Sequence, residues 1–314
     1  MTGLEISREY YFAFGEPMLR EQFPELLPHV AAGLCGSGSE CFGWDDEVSR
    51  DHDFEPGFCL FLPGEDVVDR RAAFALERAY ARLPKEFAGL RRGGLAPVGG
   101  ARRGVLRLAD FFTEKTGSPD GLLSPGDWLR VPEQGLAEAV NGEIFYDGPG
   151  ELSDIRGRLA LMPEDARRKK LAGELLRMAQ AGQYNYARCL AHGESGAAQL
   201  AVTEFARAAM HTVFLLNRRY MPFYKWSFRA MRALPLLAAE ADTLEFLIST
   251  DNRAENAEEK QYAIEDLAAR VISELQAQSL TAAVCGDLEK HAWSVNDHVA
   301  DAALRNRNIF YGVE

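Results

Sequence analysis

Residues 34–62, LCGSGSECFGWDDEVSRDHDFEPGFCLFL, constrain this chain most. An apolar run ends in a Gly/Ser turn, an acidic loop follows, and a second apolar run closes the segment. Two apolar runs joined this way predict neighbouring strands of a sheet. Gly36 and Gly38 let the backbone approach a ligand closely, because a residue without a Cβ reaches conformations closed to others. Ser37 and Ser39 add hydroxyl and N–H donors for an anion. Asp51 and Asp53 alternate about His52, and residues two apart on a strand face the same side. Two carboxylates on one face suit a hard cation such as Mg²⁺. A phosphate cradle beside such a pair is equipment for a nucleoside triphosphate, ATP being the expected one.

The rest of the chain divides into two patterns. HVAAGLCG (29–36) and FEPGFCLFL (54–62) read as strands, and Pro56 marks an irregular or edge-like start to the second. Apolar spacing predicts a helix over 5–27 and another over 67–84, closed by Pro84. VLRLADFF (105–112) reads as a strand entering a helix, and GEIFYDG (142–148) as a short strand and turn. A short helical region covers 124–140, with Asp127 as its expected cap. After Pro149 the apolar residues recur at three- and four-residue steps, the mark of amphipathic helices packing as a bundle. The expected architecture is an α/β domain with a small mixed sheet over residues 1–150, followed by an all-α helical bundle over 151–314. The basic run Arg167-Arg168-Lys169-Lys170 reads as a solvated helix face.

A net charge of −12 argues against a nucleic-acid or anionic-membrane partner, since both need a basic surface. The five cysteines form no CxxC pair and are odd in number, so buried free thiols of a reducing compartment are expected. The N-terminus lacks a signal-like apolar core, and no apolar run is long enough to span a membrane. A cytoplasmic protein is expected. LLNRRYMPFYKW (215–226) packs donors, a cation and aromatics around a proline. There, Lys225 could offset the charge of a triphosphate, and Arg188 in QYNYARCL is a second candidate.

These residues resemble the nucleotidyltransferase superfamily, in which Gly-Ser after a strand precedes Asp-x-Asp on the next. GSGSECFGWDDEVSRDHDF looks more closely like a bacterial group of nucleotidyltransferase-like proteins known as a domain of unknown function. DWLRVPEQGLAEAVNGEIFYD, LMPEDARRKKLA and LLNRRYMPFYKW look like the same group. The resemblance implies transfer of a nucleoside monophosphate from a triphosphate to a small-molecule or protein hydroxyl. Gly38 and Ser39 would then contact the leaving phosphates, and Asp51 and Asp53 would bind Mg²⁺. Relatives place a third carboxylate on a later strand. Here that region offers Asp110 as its only acid, with Arg107 where an acid is expected. Two other readings stay open: a nucleotide-binding sensor with an incomplete carboxylate set, and an antitoxin-like regulatory protein using its helical bundle as an interface.

Overall fold

Thr2 starts the first helix with a reciprocal cap. Its hydroxyl accepts from the Glu5 N–H, and the Glu5 carboxylate accepts from its own N–H. In the computed structural model, which describes residues 1–48, 55–92 and 103–313, this helix is α1 (Gly3–Tyr10). It widens into a π-type turn over Tyr11–Gly15 and narrows again as α2 (Glu16–Gln22). The one helix expected over 5–27 is therefore three segments. Tyr10 and Tyr11 both reach the core and pack against Phe58, and a Cβ on Gly15 would overlap the Phe58 ring.

Strand β1 (Ala31–Leu34) and strand β2 (Cys59–Leu62) are buried at every residue, as apolar runs covered on both faces must be. Pro56 lies ahead of β2, which is an interior strand rather than an edge. Helix α3 (Arg70–Arg82) starts where the Asp69 carboxylate accepts the Ala72 N–H. A small hairpin follows, β3 (Glu86–Phe87) and β4 (Leu90–Arg91), turning through Ala88 and Gly89 at positive φ. Then come β5 (Gly104–Arg107), α4 (Leu108–Thr116), α5 (Pro125–Arg130), α6 (Glu133–Val140), β6 (Glu143–Asp147) and α7 (Glu151–Leu159). The cap of α5 is Ser124; Asp127 is its partner one turn in, accepting the Ser124 N–H.

The main sheet has the order β5-β2-β1-β6, with β2 and β5 parallel and β1 antiparallel to both its neighbours. It is the small mixed sheet expected. Tyr10, Phe58, Leu60, Leu62, Leu76 and Tyr80 form the centre of the core beside it. The Tyr80 hydroxyl accepts from the Phe58 N–H (3.0 Å) and donates to the Phe58 carbonyl (2.8 Å), tying α3 to the start of β2.

By contacts the chain forms two units. Residues 1–122 and 135–160 make the first, and 123–134 with 161 onward make the second. The second is helical: α8 (Glu164–Met178), a π-type stretch over Ala179–Tyr186, α9 (Ala187–Ala191), α10 (Ser195–Leu216), α11 (Tyr224–Arg232), α12 (Glu240–Ser249), α13 (Ala254–Ala277), α14 (Leu288–Asp297) and α15 (Ala302–Arg305). α8 is its central element, packed by α10 and α14.

The basic run on α8 is not a solvated face. Arg167, Lys169 and Lys170 are at most 2% exposed, and only Arg168 is half-buried. Fixed acceptors replace water. Arg167 pairs with Glu164 and donates to the Leu215 carbonyl. The Lys169 ammonium donates to Asn296 Oδ1 (2.8 Å) and to the carbonyls of Arg305 (3.2 Å) and Arg307 (2.8 Å). A buried charge is tolerable only when its donors are satisfied in this way.

All five cysteines are free. Cys35, Cys41 and Cys59 are buried as expected, Cys189 is half-buried and Cys285 is exposed. Burial pushes the Cys59 thiol up to about 12. Among the described residues, no helix is long and apolar enough to cross a membrane.

Candidate functional site

The Gly/Ser turn leaves the end of β1 and is gripped from the other end of the first unit's sequence. Gly36, at φ 116°, donates its N–H to Asn141 Oδ1 (2.9 Å), and Asn141 Nδ2 donates back to the Gly36 carbonyl (2.7 Å). Asn141 is held in turn. Arg156 donates to the carbonyls of Val140 and Asn141, and the Gly142 N–H donates to the Cys41 carbonyl (2.8 Å). At Gly142, φ 67°, a Cβ would collide with the Leu34 carbonyl, so only glycine allows this approach. Sequence reading missed Asn141; its one signal was Asn-Gly ahead of a strand.

Gly36, Ser37 and Gly38 line one recess together with Glu40, Phe111 and Lys115. Its volume is about 30 Å³, room for a water rather than a triphosphate. Ser37 is exposed and Ser39 half-buried. Ser39 begins a four-residue 3₁₀ turn, Ser39–Phe42, not an α-helix. So short a 3₁₀ turn lacks the dipole of a long helix, and an anion there would be met by the turn's own N–H groups.

Two charged groups border the turn, and neither was foreseen. The Glu40 carboxylate is buried and accepts from Arg103 Nη2 at 2.9 Å. A Cβ on Gly38 would strike that carboxylate, which gives this glycine a packing reason. Lys115 stands 2.8 Å from Glu138 and 3.0 Å from Glu114. Burial works against its charge, but the hydrogen bonds to Glu138 and Glu114 outweigh it and hold the ammonium above its ordinary range.

Asp51 and Asp53, with His52 and Arg50, lie outside the described residues. Asp110 is exposed in the first turn of α4 and is not part of the recess. β5 carries no carboxylate. Its last residue, Arg107, donates to the carbonyls of Pro63 (2.6 Å) and Val68 (2.9 Å). Asp45, from the acidic loop, accepts the Gly3 N–H and so anchors α1. Among the described residues, no three His, Cys, Asp or Glu side chains gather as a metal-holding group.

Arg188 and Lys225 belong to the second unit. Both are exposed, and each lies 5.0 Å from the centre of its neighbouring ring, Tyr184 and Trp226 respectively. The aromatics beside Lys225 are not core: Phe223 and Tyr224 are exposed. The same unit buries a titratable group that sequence reading did not find. Glu133 accepts from the Met221 N–H (3.1 Å) and lies 3.3 Å from His211 Nδ1. Burial opposes the Glu133 charge, but His211 and the Met221 N–H hold its carboxyl below the usual range. Glu174, on α8, goes the other way, and burial pushes it up to about 7.

Residues 128–227 match the model of a family described as Domain of unknown function (DUF4037). The match includes Glu133, Asn141, all of α8, His211 and Lys225, and it leaves out the Gly/Ser turn. No curated protein matches the chain.

Proposed function

We propose that the chain is a nucleotidyltransferase that moves a nucleoside monophosphate from a triphosphate to a hydroxyl of a small molecule or protein. One observation carries this reading: the Gly36–Ser39 turn is locked by Asn141 with the Lys115 ammonium on its wall, in the segment that runs on to Asp51-x-Asp53. The acceptor oxygen would attack the α-phosphorus in line, the bond from that phosphorus to the bridging oxygen would break, and pyrophosphate would leave. Lys115 would exchange a carboxylate for a phosphate oxygen and offset the charge on the leaving group. The recess is small, so the phosphates would lie along its mouth. Bound at Asp51 and Asp53, Mg²⁺ would neutralise phosphate charge.

A second reading has its own support. β5 carries no carboxylate, Arg107 is committed to backbone carbonyls, and Asp110 is exposed on α4, so the strand expected to bring a third carboxylate brings none. That favours a nucleotide-binding protein without turnover. Incubation with Mg²⁺, α-labelled triphosphates and cell extract separates the two. A labelled acceptor supports transfer, saturable triphosphate binding without label supports the sensor, and the absence of both label and binding removes both readings.

A further inference from the structure

The second unit holds a hollow of about 680 Å³ where the first turn of α8 meets the ends of α10 and α13 and the loop after α11. Three guanidiniums, from Arg167, Arg168 and Arg218, line it around a single carboxylate, Glu164. Arg167 binds Glu164 through two nitrogens, Arg218 approaches it at 2.8 Å and Arg168 at 3.2 Å. The neighbouring Asp165 is taken up by the N–H groups of Ala300 and Asp301. The hollow therefore carries excess positive charge in a chain of net charge −12.

The backbone around the hollow is unusual in the same place. Among the described residues four non-glycines take positive φ, and three of them are Arg218, Leu237 and Ser279. Arg218 lines the hollow, and the other two adjoin its lining residues Leu236, Gln278 and Leu280. Arg218 and Ser279 each sit just past a helix end closed by a paired hydrogen-bond motif. The Arg218 and Arg219 N–H groups donate to the Leu215 and Phe214 carbonyls, and those of Ser279 and Leu280 donate to Gln276 and Leu275. Glycine is the usual residue there, because a Cβ strains the left-handed backbone. An arginine at such a position gives up stability and gains a guanidinium at the rim. Strain of this kind gathers where a site needs a particular side chain.

We propose that this hollow binds the phosphoryl group of a phosphorylated small molecule, held by Arg168 and Arg218 over the buried Arg167 charge, with the organic part against Pro235 and Leu236. Glu164 holds the three guanidiniums in place until the ligand arrives. Planar guanidiniums converging on one point suit phosphate oxygens, which take parallel N–H donors. The site lies wholly in the second unit and does not depend on the nucleotidyltransferase reading.

Isothermal titration of the full chain with phenyl phosphate, and with inorganic phosphate as the smaller probe, tests this without Mg²⁺. Saturable binding is expected, tighter for phenyl phosphate. Arg218→Gly should weaken it at least tenfold while leaving the thermal unfolding midpoint unchanged or raised, since glycine relieves the left-handed backbone. Arg168→Gln should weaken it comparably. Absence of saturable binding in the wild type overturns the proposal, and so does binding in both variants equal to that of the wild type.

Discussion

Glu174 makes the helical unit's stability depend on pH in a direction opposite to most carboxylates. Its side chain is 3% exposed, its Oε2 makes no hydrogen bond among the described residues, and the nearest guanidinium nitrogen, Arg177 Nη1, is 3.8 Å away. Burial raises its carboxyl from the usual 4.5 to about 7, with Glu133 adding to the rise and His211, Arg177 and Lys170 opposing it. Each tenfold change in proton affinity is worth about 1.4 kcal/mol, so ionising Glu174 in the fold costs about 3 kcal/mol more than in the unfolded chain. Between 4.5 and 7 the folded state binds the extra proton. The wild type should therefore lose stability as pH rises through that window and level off above it. Glu174→Gln keeps the shape of the neutral acid and removes the titration. Its advantage over the wild type should grow from near zero at pH 4.5 to about 3 kcal/mol at pH 8. Glu164, held down to about 2 by Arg167 and Arg218 against its burial, titrates below this window and cancels in the difference. Urea unfolding of both proteins at several pH values, followed by circular dichroism, measures it. A difference that is flat with pH, or one that shrinks as pH rises, would refute the reasoning.

Three further variants probe the packing and the turn. Tyr80→Phe removes the hydroxyl that serves both the N–H and carbonyl of Phe58 and should cost about 1–3 kcal/mol in denaturant titration; a loss within error would show that water replaces it. In Gly173→Ala the new Cβ would meet the Ile309 carbonyl at 2.8 Å and the Val313 side chain, so a loss of about 1–3 kcal/mol is expected. Lys115→Met, made together with Glu138→Gln so that no buried carboxylate loses this cation, should weaken triphosphate binding by about 1–3 kcal/mol. Unchanged calorimetric affinity would detach Lys115 from the phosphates.

What the sequence disclosed was local. The strands at Ala31–Leu34 and Cys59–Leu62, shorter than the apolar runs around them, and the turn after the first are legible because glycines and unbroken apolar runs signal themselves within a few residues. The helical second half is legible because its period repeats over many turns. Two misreadings came from partners far along the chain. Arg167 to Lys170 look solvated in any short window, since the acceptors of Lys169 are 127 to 138 residues away. The grip of Asn141 on Gly36 spans 105 residues and leaves only an Asn-Gly pair as a trace. The break of the first helix at Tyr11–Gly15 was hidden for another reason: its apolar spacing continues through the π-type turn. The aspartate pair behind the metal expectation lies outside the described residues.

The ammonium of Lys169 also sets an order of assembly. Its three acceptors sit on α14, at the last residue of α15 and just past it, so α8 cannot bury this charge cheaply until those late segments arrive. A nascent bundle of α8 and α10 alone would keep Lys169 facing water, loosely docked. Closing so long a loop is slow because its entropy is lost before the contacts reward it. The helical unit should accordingly gain its hydrogen-exchange protection on α8 in a late, concerted step rather than helix by helix.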